Sequence, residues 1–320
     1  MLTPESDGSL LYEGYGIGRI APDGANSTVA ALPPYMSGPQ AMALDADGNI
    51  YVLQNSIYKV VLPPSPLLSA ILPGERSVVV GEPASVFATV LNTGTNDLTG
   101  CAPSKPNMIE VASSSMTYQT TDPATNILTG RPNQPVTIPA GGSQTFVLSF
   151  TATTPWGFAD LPILFDCAGV SPAPAITAIG TVDLNFFNSP EPDIFALAAT
   201  MPNDGVVTVP LSQGGAGAFA VASIDNGSAA SISVSADTGA ATLPIAALIC
   251  QTDPRTAQCL APPAASAQAS YQTGGTATFS VFVMATGTVP FDPAAARIFV
   301  RFKDAQGFTS GWTSVAVQTK

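Results

Sequence analysis

The second part of this chain repeats itself at an interval of 131 to 133 residues, and this duplication limits the folds open to it. Four short motifs each occur twice, in the same order. They are Phe87–Gly94 and Phe219–Gly227, Asp122–Thr125 and Asp253–Thr256, Gly141–Phe146 and Gly274–Phe279, and Phe158–Asp160 and Phe291–Pro293. Ordered matches at nearly one offset rarely arise by chance. Two copies of one domain of roughly 130 residues, a common domain size, therefore fill the chain from about residue 67 to its end.

Apolar residues alternate with polar ones inside each repeat, as in strands of a sheet with one buried face. The clearest sets are Phe146, Leu148 and Phe150; Phe279, Val281 and Val283; and Ile298, Val300 and Phe302. The face opposite Ile298 carries Arg297, Phe299, Arg301 and Lys303, and we expect it to be wet. Frequent turn signals, without an amphipathic helical pattern, predict an antiparallel β-sandwich of about seven to nine strands in each repeat.

Proline-rich stretches mark the predicted domain boundaries. Residues 63–66 read Pro-Pro-Ser-Pro, a stiff linker biased to polyproline II, and a second proline-rich stretch follows residue 188. We therefore predict a strand segment at residues 1–62, a linker at residues 63–66, a first sandwich at residues 67–188 and a second sandwich at residues 189–320.

The start of the first repeat resembles a known type of surface domain. Val78–Gly81 reads V-V-V-G and leads through Phe87 to the turn at Asn92–Thr95. This order is similar to the opening of bacterial immunoglobulin-like domains of the CARDB and related conserved-repeat kind, in which a V-x-V-G strand pair precedes an N-x-G turn. The resemblance implies an all-β chain with two tandem immunoglobulin-like antiparallel β-sandwiches. It also implies a stalk, spacer, adhesive or assembly module on a bacterial cell surface.

The first 62 residues have a different pattern, with about four or five short strands separated by Asp-Gly and Gly-Asn turns. Pro39–Val52 followed by Ile57–Val60 resembles an NHL-type β-propeller blade, in which a D-x-D-G-N turn joins two apolar strands. A propeller needs several blades to complete its ring. The resemblance therefore implies a blade-like segment that is either the remnant of a longer precursor or a strand unit that packs elsewhere.

The chain carries few charges. Only 10% of its residues are Asp, Glu, Lys or Arg, against about 25% in an ordinary soluble domain. Ten scattered basic residues and a net charge of −12 argue against a nucleic-acid partner, which would need a basic footprint. Two explanations stay open. The chain is either an acidic secreted protein or a subunit whose weakly charged surface is covered by its neighbours.

The termini and the hydropathy give two further expectations. There is no apolar run of about 18 residues, so we predict no membrane span. Met1–Glu5 has neither the basic nor the apolar region of a signal peptide. We therefore expect a processed or truncated product, or an export signal that lies upstream.

Four cysteines lie two to a repeat, Cys101 and Cys167 in the first and Cys250 and Cys259 in the second. They allow three pairings, and pairing within each repeat follows most naturally from this distribution. The chain has no CxxC motif and no histidine, which argues against a zinc or redox site. Disulfides imply an oxidising compartment, so we expect an extracellular or cell-surface location. Four buried free thiols are the alternative.

Residues 45–49 have the D-x-D-G-N form of a calcium loop, with Asp45, Asp47 and Asn49 as weak candidate ligands. An EF-hand needs Glu at its twelfth position, and counting from Asp45 that position is Ser56. The motif therefore fails, and a hairpin turn, in which Asp, Gly and Asn adopt the required backbone angles, is the favoured interpretation.

No pattern in the sequence points to catalysis. Asp160, Asp166, Asp183 and Asp193 share no motif, and we interpret them as solvated turn residues. Without histidine there is no Ser-His-Asp triad, and no phosphate-binding or dinucleotide-binding glycine motif occurs. We therefore predict that the protein is not an enzyme and has no cofactor.

Trp156 and Trp312, the two tryptophans, each lie near the end of a repeat. A glycan-stacking platform would need exposed, coplanar rings, whereas a structural role would bury them. We favour packing at an edge or in the core.

The leading functional hypothesis is an extracellular bacterial structural protein that acts through protein–protein assembly, in a surface layer, a fibre or a matrix. Its expected partners are other copies of itself or other surface proteins, and the N-terminal strands would complete a neighbour's sheet. Two alternatives stay open. One is a monomeric adhesive or glycan-binding stalk, and the other is a C-terminal spacer fragment of a larger propeller protein.

Overall fold

All the regular structure in the described part of the chain is β-strand. The computed structural model describes residues 2–4, 10–13, 16–20, 26–31, 41–44, 50–53, 57–60, 65–106, 113–211 and 215–320. These ranges contain strands, turns and bends, which confirms the all-β prediction. None of them holds a helix long and apolar enough to span a membrane.

The chain divides into two compact units that interleave along the sequence. The first unit comprises Met1–Ala70, Phe87–Phe150 and Pro162–Ala175. The second comprises Ile71–Val86, Thr151–Leu161 and Ile176–Lys320. Three stretches of the first repeat thus cluster with the second repeat. The domain boundaries predicted at residues 62, 66 and 188 remain predictions.

The N-terminal region contains two small antiparallel sheets. Their strands are β1 (Leu2–Pro4), β2 (Leu10–Glu13), β3 (Gly16–Ile20), β4 (Asn26–Ala31), β5 (Ala41–Leu44), β6 (Ile50–Leu53) and β7 (Ile57–Val60). The first four strands pair in chain order in one sheet, and the last three pair in chain order in the other. This is a larger number of strands than the sequence pattern predicted. The propeller-blade interpretation remains a prediction.

The first repeat supplies three further sheets. Its strands are β8 (Leu67–Leu72), β9 (Glu75–Val79), β10 (Ala84–Asn92), β11 (Leu98–Ser104), β12 (Ser114–Thr121), β13 (Leu128–Thr129), β14 (Val136–Ile138), β15 (Ser143–Ala152), β16 (Trp156–Pro162), β17 (Leu164–Asp166) and β18 (Thr181–Phe187). The strand orders are β13-β12-β15-β10-β8, β14-β11-β17 and β16-β18-β9. The last strand, β18, runs parallel to β9.

The second repeat forms a sandwich of two sheets. Its strands are β19 (Ile194–Ala199), β20 (Val206–Val209), β21 (Ala216–Asp225), β22 (Ala230–Asp237), β23 (Ile245–Thr252), β24 (Ser266–Tyr271), β25 (Thr276–Ala285), β26 (Arg297–Lys303) and β27 (Thr309–Thr319). One sheet has the order β19-β21-β25-β23 and the other β20-β27-β26-β22-β24. Its last strand, β27, also runs parallel to an early strand, β20, as in the first repeat.

Alternation places the predicted residues in the core. Phe146, Leu148 and Phe150 of β15 are almost fully buried, which confirms the face predicted for them. The same holds for the predicted sets on β25 and β26, which join one continuous core cluster with residues of both sheets of the second sandwich.

The opposite face of β26 is not wet, contrary to the prediction. Arg297, Phe299, Arg301 and Lys303 are each only half-exposed. The Phe299 ring lies 5.9 Å from that of Trp312 on β27, and the Arg301 guanidinium stacks over Phe299 at 4.7 Å. The Phe299 ring therefore shields the Arg301 side chain from solvent, while Arg297 is held by hydrogen bonds to Ser314 and Pro293.

The two repeats share turn chemistry but not the register proposed for their first match. Asn92 Oδ1 accepts the Gly94 N–H, and Asp225 Oδ1 accepts the Gly227 N–H in the same way. This equivalence aligns Val86, not Phe87, with Phe219. Phe87 is accordingly 46% exposed while Phe219 is 4% exposed, so pairing the two phenylalanines was wrong by one residue, which reverses the face.

The remaining repeated motifs divide into equivalent and non-equivalent pairs. The Asp122 and Asp253 carboxylates each accept two backbone N–H groups of the following turn. In contrast, Phe158–Asp160 lies within β16, whereas Phe291–Pro293 lies in a turn before β26. That fourth match is therefore a resemblance of sequence without a shared structure.

Both disulfides join cysteines of the same repeat. Cys101 pairs with Cys167 at a sequence separation of 66, and Cys250 pairs with Cys259 at a separation of 9. Val90 and Phe146 lie beside the first disulfide, around a small internal void that Phe165 also lines. The first disulfide therefore ties distant strands in the core of its unit, while the second closes a local loop next to β23.

The turn residues Asn92 and Asp225 are expected to differ in how well they tolerate replacement by each other's residue type. The Asn92 amide donates to the carbonyl oxygens of Asn96, Ile138 and Pro139 at 2.8 to 3.1 Å. Asn92→Asp would therefore place a buried carboxylate oxygen, which cannot donate, against these three acceptors. We expect a loss of about 3 kcal/mol in the free energy of unfolding.

Asp225→Asn is the matched exchange. Asp225 Oδ1 would keep the N–H groups of Asp193 and Gly227, while Oδ2 is buried without a partner, and burial raises the pKa of this carboxyl. We expect a change within about 1 kcal/mol. Urea unfolding of both variants measures the difference, and equal losses would contradict these roles.

The two disulfides are expected to contribute unequally to the free energy of unfolding. Loop-closure entropy predicts a loss of about 4 kcal/mol on replacing Cys101 and Cys167 with Ala, against about 2.5 kcal/mol for Cys250 and Cys259. Chemical unfolding of the two double variants under non-reducing conditions tests the order. A larger loss from the Cys250/Cys259 pair would show that loop length does not govern their contributions.

Candidate functional site

The predicted calcium ligands lie outside the described residues. Asp45, Asp47 and Asn49 fall between β5 and β6, which pair antiparallel on either side of them. Within the described part of the chain, no group of three His, Cys, Asp or Glu residues is placed to hold a metal. The four cysteines form the two disulfides and leave no free thiol.

Both tryptophans are packed against other side chains, as favoured from the sequence. Trp312 is 4% exposed, and its indole N–H donates to Asp183 Oδ2 at 2.8 Å. The Trp156 ring lies 5.1 Å from that of Phe186, and its indole nitrogen is buried without an acceptor. The Trp312 ring is therefore buried, and Trp156 packs at an edge with part of its side chain exposed.

Two of the four aspartates interpreted as solvated are instead in the interior. Asp160 and Asp166 are exposed, as predicted. Asp193, however, is 1% exposed, and Asp183 is half-buried beneath Trp312. The sequence interpretation was wrong for these two because their partners, Arg76 and Trp312, are more than 100 residues away.

Arg76 and Asp193 form a buried ion pair in the second compact unit. Arg76 Nη2 lies 3.0 Å from Asp193 Oδ2, and Arg76 Nε donates to both carboxylate oxygens. The Ser77 N–H donates to Asp193 Oδ1 at 2.9 Å, and Arg76 Nη1 donates to the Ser85 carbonyl. The guanidinium also stacks on the Phe195 ring at 4.6 Å. The paired hydrogen bonds offset the desolvation of both charges.

Glu75 is a buried carboxyl beside this ion pair. It is 1% exposed, and Oε1 accepts a hydrogen bond from Asn185 Nδ2 at 3.2 Å, while Oε2 has no partner. Burial raises its pKa well above the usual value, and the nearby Asp183 and Asp193 carboxylates raise it further. Arg301 and the Asn185 hydrogen bond oppose this shift but do not reverse it.

Glu75, Arg76, Asp183, Asn185, Asp193 and Arg301 constitute what we call the polar cluster. Sequence analysis missed it, although Glu75-Arg76 inside an apolar run is an unusual pair in a chain with so few charges. Glu75, Arg76 and Asp193 are each at most 4% exposed, so they offer no surface to a substrate. The cluster therefore joins strands of the two repeats.

The second sandwich also presents an uncharged surface, which we call the outer face. It is the side of the β19-β21-β25-β23 sheet that faces away from the core. Its exposed and half-exposed residues beyond Phe195 are Leu197 and Ala199 on β19; Ala216, Ala218, Ala220, Ala222 and Ile224 on β21; Ala246 and Leu248 on β23; and Thr276, Thr278, Ser280, Phe282 and Met284 on β25. Cys250 and Thr252 continue the same side of β23 but are buried.

The outer face is apolar and open to solvent. Leu197 is 59% exposed, and Ile224 and Met284 are each 39% exposed. An open groove of about 640 Å³ lies on this face, and Ala218, Phe282, Met201 and Asn203 are among the residues that line it. Alternation explains both properties, because the outward positions between the buried residues of these strands carry uncharged side chains, mostly Ala and larger apolar residues with some Ser and Thr.

The first repeat has exposed apolar side chains on corresponding strands. Leu68 and Leu72 on β8 and Phe87 and Leu91 on β10 are 37% to 46% exposed. The weak charge of the chain therefore reflects apolar sheet surface in both repeats. Such surface on a protein is typical of an interaction site.

Glu75→Gln is expected to change how stability depends on pH. The folded protein binds the Glu75 proton more tightly than the unfolded chain does, because its pKa is raised by burial. The contribution of this proton to the free energy of unfolding is therefore fully present below the ordinary pKa of 4.5 and is lost as the pH rises through the raised pKa. The limiting slope is about 1.4 kcal/mol per pH unit. Gln stays neutral, so the variant should be more stable than the wild type at neutral pH.

Urea unfolding of both proteins from acidic to neutral pH measures this difference. Glu82→Gln, at an exposed position in a neighbouring turn, is the control and should follow the wild type. A constant difference between the Glu75→Gln variant and the wild type at every pH would contradict the role of the buried proton.

Comparisons with known proteins leave the family open. No protein family matches the chain, and no curated protein matches it. A red sea bream transglutaminase structure aligns with 95% of this chain at 12% identity and a TM-score of 0.23, and this chain spans only 41% of its length.

Two bacterial structures align at a similar level. The CupB6 tip adhesin from Pseudomonas aeruginosa aligns with 81% of this chain and 99% of its own, at 10% identity and a TM-score of 0.23. A variant of BcpA, the major pilin subunit of Bacillus cereus, aligns with 69% of this chain and 70% of its own, at 11% identity and a TM-score of 0.25. Similarity at this level carries no argument about function.

Proposed function

We propose that this chain is an extracellular bacterial structural protein that acts through protein–protein assembly, as part of a surface layer, a fibre or a matrix. The observation that supports this most directly is the outer face of the second sandwich. An apolar sheet surface of this size would be a liability on a monomer, whereas a neighbouring subunit would cover it.

The disulfides support the extracellular part of the proposal. Both bonds join strands or loops within one repeat, and all four cysteines are used. Bonds of this kind persist in oxidising environments and are rare in reducing ones. A protein of a surface layer or matrix would need such bonds to remain folded outside the cell.

The repeats and the N-terminal strands have complementary roles in the proposal. We assign the repeats to the immunoglobulin-like surface domains that they resemble, serving as assembly modules. The N-terminal strands form a blade-like segment whose outer strands, β1, β4, β5 and β7, each pair with one described strand. A strand paired on one side can extend the sheet of another chain through its free main-chain groups.

We propose a non-enzymatic role. Among the described residues, three carboxyl groups have a raised pKa. Glu75 and Asp183 belong to the polar cluster, whose central members are buried, and Asp225 is itself buried. Trp312 is buried and Trp156 packs on Phe186, so the two tryptophans do not form a pair of open rings for a glycan. Assembly uses the features that are exposed, whereas catalysis would have to use features that are not.

The proposal predicts that the mass of the full chain rises with concentration. Light scattering and sedimentation from nanomolar to high micromolar concentration should show oligomers above 32.5 kDa, and negative-stain microscopy should show their form. Because the contacts are apolar, association should persist or strengthen at high salt, where charge-mediated contacts weaken. A 32.5 kDa monomer at every concentration and salt would overturn the proposal.

A further inference from the structure

We propose that the outer face of the second sandwich docks on the same face of a second copy of this chain, forming a two-fold symmetric, face-to-face dimer. This inference rests on the proposed function and names the partner and the surface through which assembly begins. In a two-fold contact one surface meets its own copy, so it must be compatible with itself in charge and in shape.

Charge is the first reason for choosing a second copy. The chain has a net charge of −12, so two copies that met at random would bring carboxylates together. The outer face carries no charged residue on any of its four strands. Two copies that meet there desolvate no charge, and their acidic groups remain in solvent around the contact.

The area of the outer face is that of a weak, concentration-dependent dimer. Nine residues of β21 pair with β25, a length of about 30 Å, whereas β19 adds only the stretch from Leu197 and β23 only the stretch around Ala246 and Leu248. Two such faces would together bury about 800 Å², which is in the range of transient association. Packing of two sheets at about 10 Å is the same arrangement that builds the interior of a sandwich.

The relief of the outer face suits interlocking of apolar side chains. The groove above Ala218 and Ala220 is bounded by Phe282 and by the loop that follows β19. Met201, in that loop, is 92% exposed, and Leu197 is 59% exposed. In the dimer, bulky side chains of one copy occupy the groove of the other, where methionine in particular can adapt its shape.

The polar cluster sets one limit of this surface. Phe195 continues the outer side of β19, but the Arg76 guanidinium stacks on its ring and half-buries it. Leu197, two residues further along, has no such cover. On β19 the docking surface therefore begins beyond Phe195, and across the sheet it extends toward Met284 and Ala246.

Charge substitutions at the centre of the face test the proposal in the full chain. Ala220 is exposed in the middle row of the sheet, next to Ser280. Ala220→Asp and Ala220→Lys should each raise the dimer Kd at least tenfold, because either sign of charge would be buried without a partner. Opposite signs separate this effect from long-range repulsion, which the two substitutions would change in opposite directions.

Ser270→Asp and Ser270→Lys are the matched controls. Ser270 is an exposed strand residue on β24, in the other sheet of the same sandwich. These variants make the same charge changes away from the outer face and should leave the Kd within about twofold of the wild type. Sedimentation equilibrium gives the constants, and thermal unfolding shows whether each variant is folded.

A cross-link provides a measurement that does not depend on a destabilising substitution. All native cysteines are paired, so Ala220→Cys introduces the single free thiol. A bismaleimide with a spacer matched to the roughly 10 Å between packed sheets should convert this variant into covalent dimers. Ser270→Cys under the same conditions should stay largely monomeric.

The outcomes separate this inference from the proposed function. Self-association that survives both Ala220 charge variants, with no cross-link through Ala220→Cys, would overturn the face-to-face dimer and leave assembly through another surface. A wild-type chain that stays monomeric would overturn both. Loss of association in the Ala220 variants but not in the Ser270 variants, with efficient cross-linking, is the expected result.

Discussion

Two-residue alternation along the strands is the constraint on which the rest of this structure depends. On β21 and β25 it turns Phe219, Val221, Phe279 and Val281 toward the core and leaves only uncharged residues on the other side. In antiparallel sheets with one solvated face, the outward positions are commonly polar. Here most of them are apolar and none is charged, so the pattern that builds the core also produces the uncharged outer face.

The polar cluster shows how so weakly charged a chain uses its few charges. Arg76 and Asp193 are buried in the interior, where their ion pair holds strand β9 of the first repeat next to β19 of the second. A buried ion pair adds less to stability than its short distances imply, because both charges lose their hydration. What it adds is specificity. A misplaced β9 would leave Arg76 and Asp193 buried without a partner.

A few side chains thus have the opposite burial to that usual in a soluble domain. Carboxylates and a guanidinium are enclosed, while leucine, isoleucine and methionine side chains are open to solvent. This distribution lowers the free-energy cost of desolvation for contacts on the outer face, because no charged group there loses its hydration when water is displaced. It is the physical basis for connecting the low charge of the chain with assembly.

The sequence by itself determined the strand class, the repeat, the buried faces of β15, β25 and β26 and the packing of Trp156 and Trp312, because each depends on local alternation or residue type. It did not determine the register of Phe87, since a one-residue shift leaves composition and spacing almost unchanged while reversing the face. It also failed for Asp183, Asp193 and the half-buried Arg301. Their environments are set by Trp312, Arg76 and Asp237, which lie 64 to 129 residues away. Only the tertiary structure decides such contacts, because they depend on which strands the fold brings together.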